Sequence, residues 1–498
     1  MKTNTLILLT VSSVFFTVNA IAQKKTLKTK PNAKVESVKI WVSTADQSKN
    51  LTEDAEISFR LATNTDSAYT IKINPNITYQ KWIGCGACTN DASSWLMYKK
   101  LKKEAKDDLM AKLFNKSAGI GMDWVRHQMG SGDAAVINGG WWTYDDMPKG
   151  QADLNLDNFS IEMEKDYILP TLKEALKINP KLKIIGCPWT PPGWMKTSAN
   201  DPNPLNHGEI QPKYYSQFAN YFVKFIQAYA AEGIPVYGIS LINEPLAPKQ
   251  KWQACGIPAN TAKELIKNYF IPSFEKNKIT TAIYIFDHNW DKDGWDYVSN
   301  LYSDTAVYNG VSGSMWHHYV GKPDMMTDVH NAYPNKEIWF TEGCATNNWQ
   351  NPIYLKFTTY RGSFLNFAYN MINVPRNWCQ TMMMYQIALD PDYGPAVFTP
   401  PTNWGMVTID PKNGSITYRP EYYTLGHISK FVYPDAYRIE SNQYDGDIET
   451  VAFKNPDNSI VLVLSNRNAM AKNVNVICAK KTFTYLVPAE SMVTFKWD

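Results

Sequence analysis

The sequence predicts a (β/α)8 TIM barrel with an attached β-sandwich built from N- and C-terminal strands, and three observations carry that prediction. Short apolar runs alternate with amphipathic helical stretches over about 350 residues, the pattern of parallel strands with crossover helices, and there are eight such runs, the number that closes a barrel. β-prone pieces without intervening helices stand on both sides of that region. Neither flanking set is large enough for a two-layer core of its own, so the simplest arrangement joins them into one unit.

Taken in order, the chain opens on Lys2 and the thirteen-residue apolar run Leu6–Val18, then Ala20-Ile21-Ala22, the small-residue pattern of a signal peptidase site. Residues 1–22 read as a signal peptide, because a spanning helix needs about twenty apolar residues. No Cys follows the expected cleavage before Gln23, and no later run is long enough to span. The expectation is export to the periplasm or beyond the cell, without an integral membrane anchor. Residues 23–37 are polar and basic, a flexible tether. Residues 38–78 hold sandwich strands such as Val38–Val42 and Ala68–Ile73.

Residues 79–432 form the expected barrel. Its strands read as Trp82–Cys85, Met122–Arg126, Leu182–Ile185, Val236–Ile242, Ala282–Phe286, Gly313–His317, Glu337–Thr341 and Met382–Ile387. Helices at Ser94–Leu113, Glu164–Ile178, Tyr214–Ala231, Ala262–Lys276 and Leu355–Ile372 carry apolar residues at three- and four-residue spacing. A last helix is expected near Glu421–Val432. An open doubly wound sheet is the alternative, weakened because no Gly-rich phosphate loop follows the first strand. Residues 433–498 return to strands, as in Thr450–Lys454, Ser459–Leu464 and Ser491–Lys496.

Composition narrows the function. The 498 residues are 44% hydrophobic, with 17 Trp, 29 Tyr and 20 Phe, which rules out a disordered or fibrous chain. A net charge of +3, or +2 once Lys2 leaves with the leader, is too balanced for a nucleic-acid partner. Seven cysteines over so long a chain are no disulfide framework. Cys85-Gly-Ala-Cys88 has no second C-x-x-C to complete a zinc site, so it reads as a tight strand-end turn with small residues rather than a metal or redox centre.

Catalysis in such a barrel belongs at the C-terminal ends of strands. The third strand runs into Pro188-Trp-Thr-Pro-Pro-Gly-Trp194, the fourth ends in Asn243-Glu244-Pro245, and the seventh in Thr341-Glu342-Gly343. Two strands thus deliver one carboxylate each to a mouth rich in aromatic residues. Paired carboxylates suit glycosidic bond hydrolysis, and rings such as Trp189, Trp194 and Trp316 are candidates to stack on the apolar faces of sugars.

The segments Gly84–Ala92, Val125–Asp133, Trp142–Asp146, Pro188–Lys196, Asn243–Pro245, Phe340–Glu342 and Tyr422–Phe431 closely resemble glycoside hydrolase family 30, the family of glucosylceramidases and microbial β-1,6-glucanases. The resemblance runs from about Trp82 to the C-terminus. It implies retention of anomeric configuration, with Glu244 as acid/base and Glu342 as nucleophile. Asn243 matches the residue that holds the sugar 2-OH, and Asp133 and Trp189 match glucose contacts. Arg126 matches the residue that orients the nucleophile, and Tyr319 a tyrosine beside it. Tyr385-Gln386 stands where relatives commonly have Trp-Asn, at the rim of the sugar subsite. These roles require Glu244 protonated with a raised pKa, Glu342 ionised, and carboxyls about 5–5.5 Å apart. No cofactor or metal is implied. The expected partner is a β-glucan or β-glucoside. Alternatives are glucosylceramide as substrate, or a carbohydrate-binding protein without turnover.

Overall fold

The computed structural model describes Met1 and residues 36–61, 69–137, 140–345, 359–396 and 403–498. The leader and the tether up to residue 35 lie outside the described residues.

The strands are β1 (Ser37–Thr44), β2 (Thr52–Ser58), β3 (Arg60–Leu61), β4 (Tyr69–Lys81), β5 (Cys85–Thr89), β6 (Trp124–Gln128), β7 (Lys183–Cys187), β8 (Val236–Ser240), β9 (Ala282–Trp290), β10 (Gly313–Gly321), β11 (Glu337–Glu342), β12 (Met382–Met384), β13 (Ala388–Leu389), β14 (Val407–Ile409), β15 (Ile416–Tyr418), β16 (Tyr437–Ser441), β17 (Ile448–Lys454), β18 (Ile460–Asn466), β19 (Lys472–Cys478), β20 (Lys481–Val487) and β21 (Ser491–Trp497). β5 to β12 close into one barrel in chain order, every neighbouring pair parallel, so the open-sheet alternative falls. β1–β4 and β16–β21 interleave in a single ten-stranded sheet, β2-β1-β21-β18-β17-β16-β4-β19-β20-β3, built from both ends of the chain. β13, β14 and β15 make a small further sheet after the eighth barrel strand, which the sequence pattern did not announce.

The first barrel strand corrects one expectation. Cys85-Gly-Ala-Cys88 is not a turn but β5 itself, fully buried. Its small residues serve close approach between neighbouring strands, since a Cβ on Gly86 would sit 2.2 Å from the backbone oxygen of Trp124. The helix expected over Ser94–Leu113 is also divided, into Asp91–Trp95, a π turn at Leu96–Lys100 and Lys103–Phe114, with Leu101 in extended conformation between the last two. Ala262–Lys276 is interrupted likewise by a π turn at Ile266–Phe270, just before Pro272, which has no N–H to continue the ladder.

Inside the barrel, Trp124, Ile185, Tyr284, Met315, Trp339 and Met383 form a dry plug, with Trp339 4.1 Å from Tyr284 and 4.7 Å from Trp124 between ring centroids. Side chains on a strand alternate between faces. Two residues beyond the plug, the next inward layer is therefore Arg126, Cys187, His317, Thr341 and Tyr385, and the plug becomes the floor of a polar chamber.

His427 joins barrel and sandwich. It sits fully buried on the helix Pro420–Ser429, with Nδ1 2.8 Å from Thr494 Oγ1 on β21 and Nε2 2.9 Å from Ser43 Oγ on β1. Because the Thr494 hydroxyl already donates to the His427 carbonyl, Nδ1 carries the proton and Nε2 accepts from Ser43. Burial pushes this imidazole down to about 3. The unfolded chain, with a His pKa near 6.5, binds the extra proton between those values, so this group's contribution to stability is whole above pH 6.5 and is lost as pH falls toward 3. His427→Gln is expected to lower the urea midpoint at pH 7 and to flatten the fall of stability between pH 6.5 and 4, measured by denaturant titration at each pH.

Candidate active site

Arg126 organises the chamber. Its Nη1 donates to Glu342 Oε2 at 2.7 Å, and its Nη2 donates to Asn243 Oδ1 at 2.6 Å and to Asp287 Oδ2 at 2.9 Å. The guanidinium carbon lies 4.8 Å from the centroid of the Trp189 ring. Glu342 comes from the end of β11 and also accepts from Tyr319 Oη at 3.0 Å. Trp189 Nε1 donates to Asp133 Oδ1 at 2.9 Å, and the Trp189 ring stands 5.9 Å from that of Tyr385, whose hydroxyl accepts from Gln128 Nε2 at 3.0 Å. His317 Nδ1 faces Glu244 Oε1 at 3.3 Å and Glu342 Oε1 at 4.0 Å. Each of the eight residues singled out from the sequence, Arg126, Asp133, Trp189, Asn243, Glu244, Tyr319, Glu342 and Tyr385, is thus within one connected constellation.

Two further residues belong to it that the sequence reading did not place there. Asp287, buried on β9, accepts from Arg126, from Thr341 Oγ1 at 2.6 Å, from His317 Nε2 at 3.0 Å and from Cys187 Sγ at 3.1 Å. His317 spans the gap from Asp287 to Glu244. Asp287 follows directly on the expected fifth strand, which was a usable signal, but that strand continues to Trp290. Of the aromatic candidates, Trp316 is core, packed on Phe286 at 4.9 Å with its N–H on Ser314 Oγ, because it points out of the barrel while His317 points in. Trp194 is nearly buried and pinned through Nε1 to Asp145.

The backbone at these strand ends is strained. Glu244, Phe286 and Asp287 have φ of 52°, 75° and 70°, left-handed values that cost non-glycine residues about 1–3 kcal/mol each. The Glu244 N–H donates to the Asp287 carbonyl at 3.1 Å, so the two strained segments hold one another.

Electrostatics follow from seven buried ionisable groups, Arg126, Asp133, Glu244, Asp287, His288, His317 and Glu342. Despite burial, Arg126, His317 and Thr341 hold Asp287 far below the usual carboxylate range. Burial works against a charge on His317, but Glu342, Asp287 and Glu244 outweigh it and hold the imidazole up at about 9, a cation at neutral pH. Asp133 is driven up by burial and by the charges of Glu342 and Glu244. Burial raises Glu342 as well, in spite of His317 and Arg126, whereas His288 and His317 overcome burial at Glu244 and lower it. This order is the reverse of the expected raised Glu244 and ionised Glu342. The reason is the pair of imidazoles beside Glu244, His288 at 3.8 Å and His317 at 3.3 Å, neither of which was expected there.

Glu244, His317 and Glu342 each bring one ligand-type atom within 4.8 Å of the others. A cation there would have to displace the His317 proton and stand close to Arg126, whose Nη1 is 2.7 Å from Glu342, so the charges already present disfavour a metal ion.

Residues 83–432 match the glycosyl hydrolase family 30 TIM-barrel domain, and residues 435–495 match the glycosyl hydrolase family 30 beta sandwich domain. The chain belongs to glycosyl hydrolase family 30. An endo-1,6-beta-D-glucanase of Neurospora crassa is 30% identical over 416 residues, 81% of this chain and 82% of that protein. The lysosomal acid glucosylceramidase of Mus musculus is 26% identical over 88% of this chain and 85% of its own length. A solved endo-beta1,6-glucanase superposes with a TM-score of 0.81 at 30% identity, covering 93% of this chain and 99% of that one. The glycosidase assignment from paired strand-end carboxylates therefore stands, and the chain is a family 30 glycoside hydrolase.

In this family 30 barrel, the Arg126–Asp287 pair is a buried ion pair with both side chains inaccessible. Asp287→Asn is expected to cost about 3–5 kcal/mol of stability by leaving Arg126 short of an anion, read from the shift in urea unfolding free energy.

Proposed function

We propose that this enzyme hydrolyses β-1,6-linked glucan with retention of configuration, Glu342 serving as nucleophile and Glu244 as acid/base. The observation that carries the reading is the closeness of the two glutamates, which bring one oxygen each within 4.8 Å. Such closeness fits direct attack, for which carboxyls stand roughly 5–5.5 Å apart, better than the about 6.5–9.5 Å of an inverting site. The identity to β-1,6-glucanases supports the substrate.

In the first step Glu342 attacks the anomeric carbon while Glu244 gives its proton to the departing oxygen. Arg126 and Tyr319 aim the nucleophile, and Asn243, itself held by Arg126, meets the 2-OH. Trp189 and Tyr385 offer ring faces to the glucose, and Asp133, tied to Trp189, offers its carboxyl to a hydroxyl. Glu244 needs its proton only once substrate lies between the carboxyls. A sugar in the chamber excludes water from around Glu244, and that desolvation favours the neutral acid. Formation of the glycosyl ester removes the charge on Glu342, one of the like charges that hold protons nearby, so Glu244 becomes the base that draws a proton from water in the second step. With a leader of the expected kind, the enzyme works outside the cytoplasm, where such polymers lie. Glucosylceramide is the second reading, favoured by the mouse relative.

Product analysis after incubation with β-1,6-glucan and with glucosylceramide tests the substrate: oligosaccharides from the glucan are expected, and glucose from the lipid alone would overturn the reading. Glu342→Gln, which removes the nucleophile and hardly any volume, is expected to lose about 10⁴-fold or more in kcat with the fold intact by circular dichroism. His317→Asn removes the cation that lowers Glu244, so the alkaline limb of the kcat/KM profile, which reports loss of the Glu244 proton, is expected to move to higher pH.

A further inference from the structure

We propose that a groove formed by the loops after β6 and β7 is a second subsite for the same glucan chain, outward of the catalytic chamber. It is a cavity of about 620 Å³ on the C-terminal face, in the size range of ligand pockets. The inference rests on the glucan reading above and extends it from one sugar ring to a chain.

Connectivity places the groove. The loop after β6 carries Asp133 and then forms one wall with Trp141, and the loop after β7 carries Trp189 and then forms the other with Gly193 and Trp194. Four residues separate Trp189 from Gly193, so this wall starts within about 14 Å of Trp189. The Asp133 loop is braced to the same wall, because Trp142 N donates to Ser131 Oγ at 2.8 Å and Ser131 N donates to the Trp142 carbonyl at 3.0 Å. The groove thus lies along the same two loops that carry Asp133 and Trp189.

The lining chemistry fits an uncharged carbohydrate. Trp141 and Tyr214 are partly exposed there, and Tyr214 stands edge-on to the pinned Trp194 at 5.0 Å. The Trp141 ring presents a flat apolar face for C–H stacking, and the Tyr214 ring has one, with the Lys213 ammonium 4.7 Å from its centroid. Asn200, Asn203 and Gln211 add amides that both donate and accept, the pairing that sugar hydroxyls use. The charged residues cancel, Asp146 and Asp201 against Lys149 and Lys213, so the groove has no sign with which to select a nucleic acid or an acidic peptide. Its walls are held before any ligand arrives, since Trp194 is fixed by Asp145, whose carbonyl accepts its N–H at 3.0 Å.

The test compares kcat/KM for β-1,6-linked gluco-oligosaccharides of increasing length with that for an aryl β-glucoside, in wild type, Trp141→Ala and Tyr214→Ala. In wild type the ratio is expected to rise with length, and in each variant the rise is expected to shrink about five- to tenfold for the long substrates. A wild type indifferent to length, or variants that keep its length dependence, overturns the proposal. Calorimetric binding of a long β-1,6-gluco-oligosaccharide to Glu342→Gln, alone and combined with Tyr214→Ala, separates the groove from the reaction. If wild type cleaves the aryl glucoside but none of the β-1,6 series, the substrate reading fails, and the groove still stands or falls on this measurement. Weaker binding in the combined variant supports it, and equal binding or none overturns it.

Discussion

A guanidinium with no access to water, held among three anionic or amide oxygens, is the constraint on which the catalytic end of this barrel depends. Taking Arg126 and Asp287 out of water costs several kcal/mol per ion, and only good geometry repays it. The geometry is supplied from many strands at once: Arg126 from β6, Cys187 from β7, Asn243 beyond β8, Asp287 from β9, His317 from β10, and Thr341 and Glu342 from β11. Moving any one of these strands breaks a charge-assisted bond in a dry interior. The left-handed backbone at Glu244, Phe286 and Asp287 is tolerated for the same reason, because the network over-determines where these residues must be.

Below the network lies a plug of Trp, Tyr, Met and Ile, and around it the crossover helices. The plug fixes the strands at their N-terminal ends, with Trp124 Nε1 engaged by the Ile83 carbonyl and the Tyr284 hydroxyl by Glu337. The sandwich adds a second fixed body, joined to the last helix of the barrel through the neutral His427 and its two hydroxyl partners on β1 and β21. That contact explains why a His stands within the Leu425-Gly-His-Ile-Ser-Lys-Phe431 stretch: the position needs a donor and an acceptor a ring-width apart and has no room for a charge.

The proton balance of the site is a property of the assembly. Two cations, Arg126 and His317, face Asp287 and the two glutamates, yet burial raises Glu342 in spite of Arg126 2.7 Å away while Glu244 is lowered, the reverse of the order the proposed roles favour. A retaining enzyme must exchange the charge states of its two carboxyls within each turnover. A pair whose proton is moved by substrate entry and by ester formation meets that need better than a pair locked in one state.

Much of this was legible in the chain. Alternating short apolar runs and amphipathic stretches specify eight parallel strands, because backbone periodicity is local. Strand-end polar residues pointed to Glu244 and Glu342, because the C-terminal rim of a barrel is where side chains escape the core. The break at Ile266–Phe270 had a signal in Pro272, whereas the break at Leu96–Lys100 was not legible, since no Gly or Pro marks it. Nor was the choice among Trp189, Trp194 and Trp316, which turns on the parity of a strand residue and the register of its neighbours. Asp287 and His317 were not assigned to the site for a related reason: a strand end marks the one and a metal site was discounted for the other, but their significance lies in which charges lie across the barrel, at chain separations from 30 to 161 residues. The sequence by itself determined the architecture and the two carboxylates. Only the tertiary structure decided their neighbours, and with them the direction in which each carboxyl's pKa moves, because a pKa answers to distance and burial in space.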